Sequence, residues 1–213
     1  MTALSNTDGP SFWDRIAPKY ARKPIADPAA YEAKLARVSA LLDPQDRVLE
    51  IGCGTGGTAL RLAPGVGHVT ATDVSSGMIG IAQSKLGQDA PGNVTFRRAD
   101  AKDLAQGHPF DAVLAFSLLH LVDDVPGVLG RVRDQLKPGG LFISKTVCLR
   151  EAILPIRAMV RVLTAVGLAP RVTVLGESDL IRHLQNAGFE IRQTAHFAKG
   201  PMNPFIVARK PAD

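Results

Sequence analysis

With 213 residues, the chain has room for one α/β domain and a small appendage. At 46% hydrophobic and 21% charged residues, neither a disordered chain nor a membrane-spanning one is expected. The net charge of +5 comes from scattered Lys and Arg, with two Tyr, one Trp and eight Phe, so there is no interleaved basic and aromatic tract for nucleic acid and no such partner is expected.

Residues Met1 to Pro10 are polar and lack the basic and apolar regions of a secretory leader. Phe12–Tyr20 is a short amphipathic segment, followed by a break around Pro24. Asp27 and Pro28 read as an N-cap and first helical residue, after which Tyr31, Leu35, Val38 and Leu42 recur at helical spacing as far as Asp43-Pro44. From residue 45 onward, short apolar runs alternate with helical stretches. Strands are predicted at Arg47–Ile51, His68–Asp73, Val94–Ala99, Asp111–Phe116, Leu141–Cys148, Phe189–His196 and Phe205–Arg209. Helices are predicted at Gly57–Ala63, Ser76–Gly87, Val125–Leu136, Glu151–Val166 and Ser178–Ala187.

This alternation implies parallel crossovers and a seven-stranded, mostly parallel sheet with helices on both faces. The last two strands, joined only by Ala198 to Pro204, have no helix between them and should form an antiparallel hairpin at one sheet edge. The expected organisation is a helical segment over 1–44 capping the ligand site, then an α/β domain over 45–213 with a helical lid insertion at about 150–170. The most apolar window, Ala152 to Ala169, is interrupted by Arg157 and Arg161, whereas a spanning helix needs about 20 mostly uncharged residues. A cytoplasmic protein is expected. Cys53 and Cys148 make neither a disulfide framework nor a zinc site, and the five His show no ligand spacing, so no metal is expected.

The segment from Val48 to Gly57 is a strand running into a glycine turn and then a helix. Glycines suit such a turn because it needs unusual dihedrals and a backbone that a ligand can approach. Two templates fit. Gly52, Gly54 and Gly57 match the dinucleotide fingerprint GxGxxG. Glu50, Gly52, Gly54 and Gly56 match ExGxGxG, the pattern of the class I S-adenosylmethionine-dependent methyltransferases. Asp73, 21 residues after Gly52, serves either reading, since a carboxylate there binds ribose hydroxyls. A glycine-rich turn with no ligand is the third possibility.

Later motifs decide between them. Asp73-Val74-Ser75-Ser76-Gly77-Met78, Ala99-Asp100-Ala101, Phe110-Asp111-Ala112-Val113 with Ser117-Leu118-Leu119-His120, and Leu136-Lys137-Pro138-Gly139-Gly140 follow in order. From about Phe12 to Lys210 the chain resembles the class I methyltransferases, within them the small-molecule group (methyltransferase type 11) that includes the ubiquinone and menaquinone enzymes. It lacks the extended N-terminal signature of those quinone enzymes, and it lacks the Asn-Pro-Pro-Tyr or Asp-Pro-Pro-Tyr tetrapeptide of nucleobase-amine methylation.

The resemblance implies a Rossmann-like fold and S-adenosylmethionine as cofactor, with S-adenosylhomocysteine as product. It implies that Gly52 and Gly54 pass close to the methionine part, and that Glu50 fixes the loop or the cofactor ammonium. Asp73 would take the ribose hydroxyls, Val74 and Met78 would line adenine, and Asp100 and Ala101 would meet the adenine amino group. Cys53, Gly56 and Ser117 complete the implied cofactor set. The bland alternatives are a helix cap for Asp73, a solvated acid for Asp100 and core packing for Met78.

Methyl transfer from a sulfonium asks mainly for orientation, so a base is needed only when the acceptor carries a proton. His120, just past the fourth strand, is the candidate base, with a structural histidine as the alternative. Tyr20, with Trp13, reads as part of a flap over the cofactor or, equally, as local core. In the segment after strand 5, Ile153, Ile156, Met159, Val160, Leu163 and Val166 form an apolar face, with Arg150, Arg157 and Arg161 toward another. The preferred reading is a lid, with Met159 and Leu163 against a small apolar or amphipathic acceptor; a peripheral membrane contact through 151–166 and a homodimer seam are the alternatives, and the chain is read as a monomer or homodimer. Two other functions stay open: a noncatalytic S-adenosylmethionine-binding module and a nicotinamide-dependent oxidoreductase.

Overall fold

The computed structural model describes residues 9–87, 90–102, 109–152, 154–197 and 200–212. Expectations that fall on Met1 to Asp8, Ile153 and Ala198 therefore lie outside the described residues. Two helices, α1 (Gly9–Arg22) and α2 (Pro28–Ser39), precede the sheet. The chain then runs β1 (Arg47–Ile51), α3 (Gly57–Leu62), β2 (His68–Asp73), α4 (Ser76–Ser84), β3 (Val94–Arg98), β4 (Phe110–Phe116), α5 (Val125–Gln135), β5 (Leu136–Lys145), α6 (Leu154–Ala165), α7 (Glu177–Asn186), β6 (Glu190–Ala195) and β7 (Phe205–Arg209).

The strands form one seven-stranded sheet in the order β3-β2-β1-β4-β5-β7-β6. Strands β1 to β5 pair in parallel, while β7 runs antiparallel to both β5 and β6. The central strands are buried on both faces, which explains their near-continuous apolar sequences. Alternation along β1 sorts the two cores. Val48 joins Leu35 and Val38 of α2, Leu62 of α3 and Ile79 of α4. Leu49 and Ile51 face the other way, toward Leu129 and Val132 of α5 and Leu180 and Leu184 of α7. Helix α2 is thus a layer of the sheet, begun by Asp27, whose carboxylate accepts from Ala30 N at 2.9 Å.

Two local features differ from the sequence expectation. The terminal hairpin does not: it is antiparallel and lies at one sheet edge, with β6 outermost and β7 between it and β5. Strand β6 is only half-covered, as edge strands often are, with Glu190, Arg192 and Thr194 exposed. Strand β5 begins at Leu136, so Lys137-Pro138-Gly139-Gly140 belongs to it and not to a preceding turn. The pairing with β4 slips between Phe110 and Ala112, Gly139 takes φ 76, and Gly139 N and Lys210 N bond across to Lys210 O and Gly140 O. Helix α6 starts at Leu154 because Leu149–Glu151 winds into a 3-10 turn first. It ends at Ala165 and is closed by Gly167, φ 72, and by Leu168 N, which reaches back to Leu163 O at 2.8 Å.

Candidate active site

The C-terminal ends of β1, β2 and β4 carry most of the residues singled out from the sequence. The turn after β1 needs left-handed backbone at three glycines, with φ 69 at Gly52, 54 at Gly54 and 76 at Gly56. Their surroundings separate their roles. A Cβ at Gly56 would stand 2.5 Å from Phe96 Cζ, and one at Gly52 would stand 2.9 Å from Leu118 Cδ1, so both are held by packing. A Cβ at Gly54 would meet only Tyr20, at 3.9 Å. Gly54 is the open face of the turn.

Hydrogen bonds fix this loop to the rest of the sheet. Cys53 N donates to Thr72 O at 2.9 Å, and Lys85 Nζ, just past α4, donates to Thr55 O at 2.6 Å. The Asp73 carboxylate accepts from Gly54 N through Oδ2 (2.8 Å) and from Ser75 N through Oδ1 (2.9 Å). Burial pushes its pKa above the usual carboxylate value, against the pull of those amide donors. Asp73 is not a helix cap, because Ser75 is: its Oγ accepts from Met78 N at 3.1 Å. Both Asp73 oxygens keep a second lone pair for a ligand hydroxyl.

Under the turn lies Glu50, 2% exposed, with Oε2 bonded to nothing among the described residues. Burial raises its pKa to about 7, opposed by the charge of Lys34. Lys34 is itself 5% exposed, lies 4.1 Å from the Phe116 ring centroid and 4.6 Å from that of Tyr31, and has its pKa lowered to about 8 by burial. A buried, unpaired carboxylate oxygen beneath an open glycine is an acceptor suited to a cationic donor.

Helix α1 lies across this region. Asp14 Oδ1 accepts from Gly77 N (2.8 Å), Ser75 Oγ (2.6 Å) and Ser76 Oγ (3.3 Å) at the start of α4, which holds its pKa below the usual value. Tyr20 sits beside Gly54, with its ring edge-on to Trp13 at 6.1 Å. Val74 is half-buried and Met78 is 2% exposed, while Asp100 is exposed with Oδ1 closing a turn on Lys102 N. Ala101 packs into the core beside β4. The Cys53 thiol is buried and its pKa is raised far above the ordinary range, which rules out a neutral-pH thiolate.

Past β4 the picture changes. Ser117 is exposed and takes φ 55, a left-handed strain that a non-glycine residue rarely adopts. His120 is 9% exposed, its Nδ1 has no partner among the described residues, and burial lowers its pKa to about 4. It is therefore neutral at physiological pH. A cavity of about 440 Å³ lies between α6 and the stretch 171–174, with Leu149, Val160 and Val172 among its walls. Met159 stands 55% exposed and Leu163 half-buried; neither is among the wall residues, whereas Val160, Arg161, Thr164 and Ala165 are. Arg15 Nη2 of α1 donates to Gly167 O at 3.1 Å, joining the first helix to the end of α6.

Sequence reasoning missed Asp14 and Lys34. Lys34 left a signal, since it falls three residues after Tyr31 and four before Val38, on the apolar face of α2. Asp14 left none, because nothing local to a lone acid reveals a contact across the fold.

The strand order distinguishes this sheet from the parallel 3-2-1-4-5-6 order of dinucleotide-binding domains, because an antiparallel strand is inserted between β5 and β6. Residues 48–140 match the family described as methyltransferase domain. A demethylmenaquinone methyltransferase of Leptospira interrogans is 39% identical over 105 residues, which is 47% of this chain and 42% of that protein. A structure described as a DhpI complex with SAH superposes with a TM-score of 0.76 at 23% identity, covering all of both chains. The [4+2]-cyclase SpnF superposes at 0.77 and 20% identity, over 100% of this chain and 98% of that one. The chain spans between 2% and 42% of the length of the first curated relatives it matches. Residues 48–140 thus carry a methyltransferase domain, and the chain as a whole has the fold of the structures it superposes on.

Proposed function

We propose that this protein transfers the methyl group of S-adenosylmethionine to a small, apolar or amphipathic acceptor by in-line displacement. The observation that carries the reading is the glycine turn, open at Gly54 and backed by the unpaired Oε2 of Glu50. That pair fits an amino-acid ammonium lying on a bare backbone. The Asp73 carboxylate, already 2.8 Å from Gly54 N, fits the ribose hydroxyls. Val74 and the Asp100-Ala101 turn flank the adenine side, and Tyr20 on α1 closes over the turn.

S-adenosylmethionine, when bound, supplies an activated methyl group, so the chain needs to orient the acceptor and keep water away. The strained Ser117, the loop to His120 and α6 border the place where an acceptor would lie, at the C-terminal ends of β4 and β5. His120 accepts a proton only weakly at neutral pH, given its lowered pKa. Its role fits a neutral hydrogen-bond partner better than a strong base. Helix α6, tied to α1 through Arg15, acts as the lid.

A second reading is that the bound sulfonium cofactor is not consumed. The cyclase built on the same fold supports it, because the fold does not fix the chemistry.

Calorimetry tests the assignment directly. S-adenosylhomocysteine should bind and NAD should not, and Asp73→Ala should weaken the former at least tenfold, the scale of a charge-assisted hydrogen bond. Tight NAD binding with no response to S-adenosylhomocysteine would overturn it. Methyl transfer from labelled S-adenosylmethionine to a bound acceptor separates the first reading from the second.

A further inference from the structure

The cavity under α6 draws its walls from four segments: the loop after β4, the turn after β5, α6 itself and the stretch 171–174. Thr173 stitches the last of these to the loop after β4, with N donating to His120 O at 2.7 Å and Oγ1 to Val122 O at 2.8 Å. The cavity therefore sits at the C-terminal end of the sheet, beside His120. At about 440 Å³ it falls within the range of small-molecule sites.

Its charge is mostly positive. Asp123, Arg161 and Arg171 are the charged residues on its walls. Asp123 has a counterion in Lys102, 3.7 Å away. Arg161 and Arg171 make no hydrogen bond and no ion pair among the described residues, although other arginines nearby do. Arg150 and Arg182 share Asp179, and Arg131 pairs with Asp124. A guanidinium cannot shed its proton, so two unpaired ones beside Leu149, Val160 and Val172 leave an apolar cavity with a fixed positive rim. The complement to such a site is an anion on an apolar body, and planar guanidinium groups favour a carboxylate.

Building on the methyltransferase reading, we infer that the acceptor is an amphipathic carboxylate. Arg161 and Arg171 hold its charged end, and Leu149, Val160 and Val172 cover its apolar part. Neutral and cationic amphiphiles of the same length bind more weakly, because they leave both guanidinium groups without a partner.

The test uses decanoate, decanol and decyltrimethylammonium as probes, titrated by calorimetry into the full chain saturated with S-adenosylhomocysteine. Decanoate should bind at least tenfold more tightly than either of the others. Arg161→Ala and Arg171→Ala should each weaken decanoate at least fivefold and leave decanol unchanged. Arg161→Lys should fall between, since it keeps the charge and loses the fork. S-adenosylhomocysteine affinity, measured on every variant, reports that the fold is intact. Equal binding of the three probes, no binding of decanoate, or an unchanged decanoate affinity in the double alanine variant would each overturn the inference while leaving the cofactor assignment standing. If S-adenosylhomocysteine fails to bind the wild-type chain, the methyltransferase reading falls, and selective decanoate binding then reports an anion site with no methyl donor.

Discussion

The two halves of the site are built in opposite ways. On the β1–β2 side, the glycine turn is tied to Asp73, Thr72 and Lys85, and the start of α4 is capped by Ser75 and Asp14 together. One buried polar atom there, Glu50 Oε2, is left over. On the β4–β5 side the balance reverses: His120 Nδ1, Ser144 Oγ and Thr146 Oγ1 are buried and unpaired among the described residues, Ser117 is strained, and two arginines lack counterions. Each unsatisfied buried group costs about 1–3 kcal/mol. The first half is hydrogen-bonded apart from that one atom. The second leaves several polar groups unmatched, as the proposed acceptor site would require.

The sharpest way to break the contrast is at the glycines. Gly56→Ala meets both a left-handed φ and the Phe96 ring, so it should cost about 2–4 kcal/mol of stability. Gly54→Ala meets open space apart from Tyr20, so its stability loss should stay near about 1 kcal/mol while S-adenosylhomocysteine binding collapses. Urea titration beside calorimetry compares the two. Equal stability losses would mean that Gly54 is packed like Gly56.

A second prediction addresses the unfinished half through pH. An unfolded histidine takes its proton near pH 6.5, whereas folded His120 takes it at about 4. Between those values the unfolded chain binds more protons, so stability that is complete above pH 6.5 is lost as pH falls toward 4. The shift corresponds to at most about 3 kcal/mol. His120→Gln should flatten the dependence of the urea midpoint on pH across that window. In turnover assays any acid limb owed to His120 should lie near pH 4 and not near 6.5.

The smallest expected effect belongs to Asp14. Replacing it with Ala removes acceptors from Gly77 N and two hydroxyls and should cost about 1 kcal/mol. The more telling readout is local: amide exchange in α1 should accelerate while that of β1 and β4 holds.

How much of this could be read in the sequence follows the same division. The glycine turn, Asp73 and the alternation of strands and helices are local patterns, and they locate the turn after β1, the carboxylate bonded to it and the strands that carry both. Strand β5 escaped at its start because Lys137-Pro138-Gly139-Gly140 has turn chemistry; what makes it strand is a bulge and bonds to residues after β7. Helix α6 shows the other limit. Periodicity finds an apolar stripe but not which side meets the domain, so Met159 was expected inward and stands outward, while Arg161 was assigned to a separate face and lines the cavity. The two unpaired arginines become visible only once every possible counterion has been placed.

The insertion of β7 between β5 and β6 also sets an order of events. Strand β6 is made before β7 and, among the described strands, pairs only with it, so it cannot join the sheet until Phe205–Arg209 has been synthesised. Until then β5 presents a bare edge along Leu141–Lys145, the stretch that β7 will cover. A growing chain therefore carries the open rim of its central sheet for as long as it takes to make α6, α7 and β6, and five residues close both gaps at once. Those five residues act as the zip of the whole edge, and a chain stopped just short of Phe205 would expose a template for pairing with its neighbours.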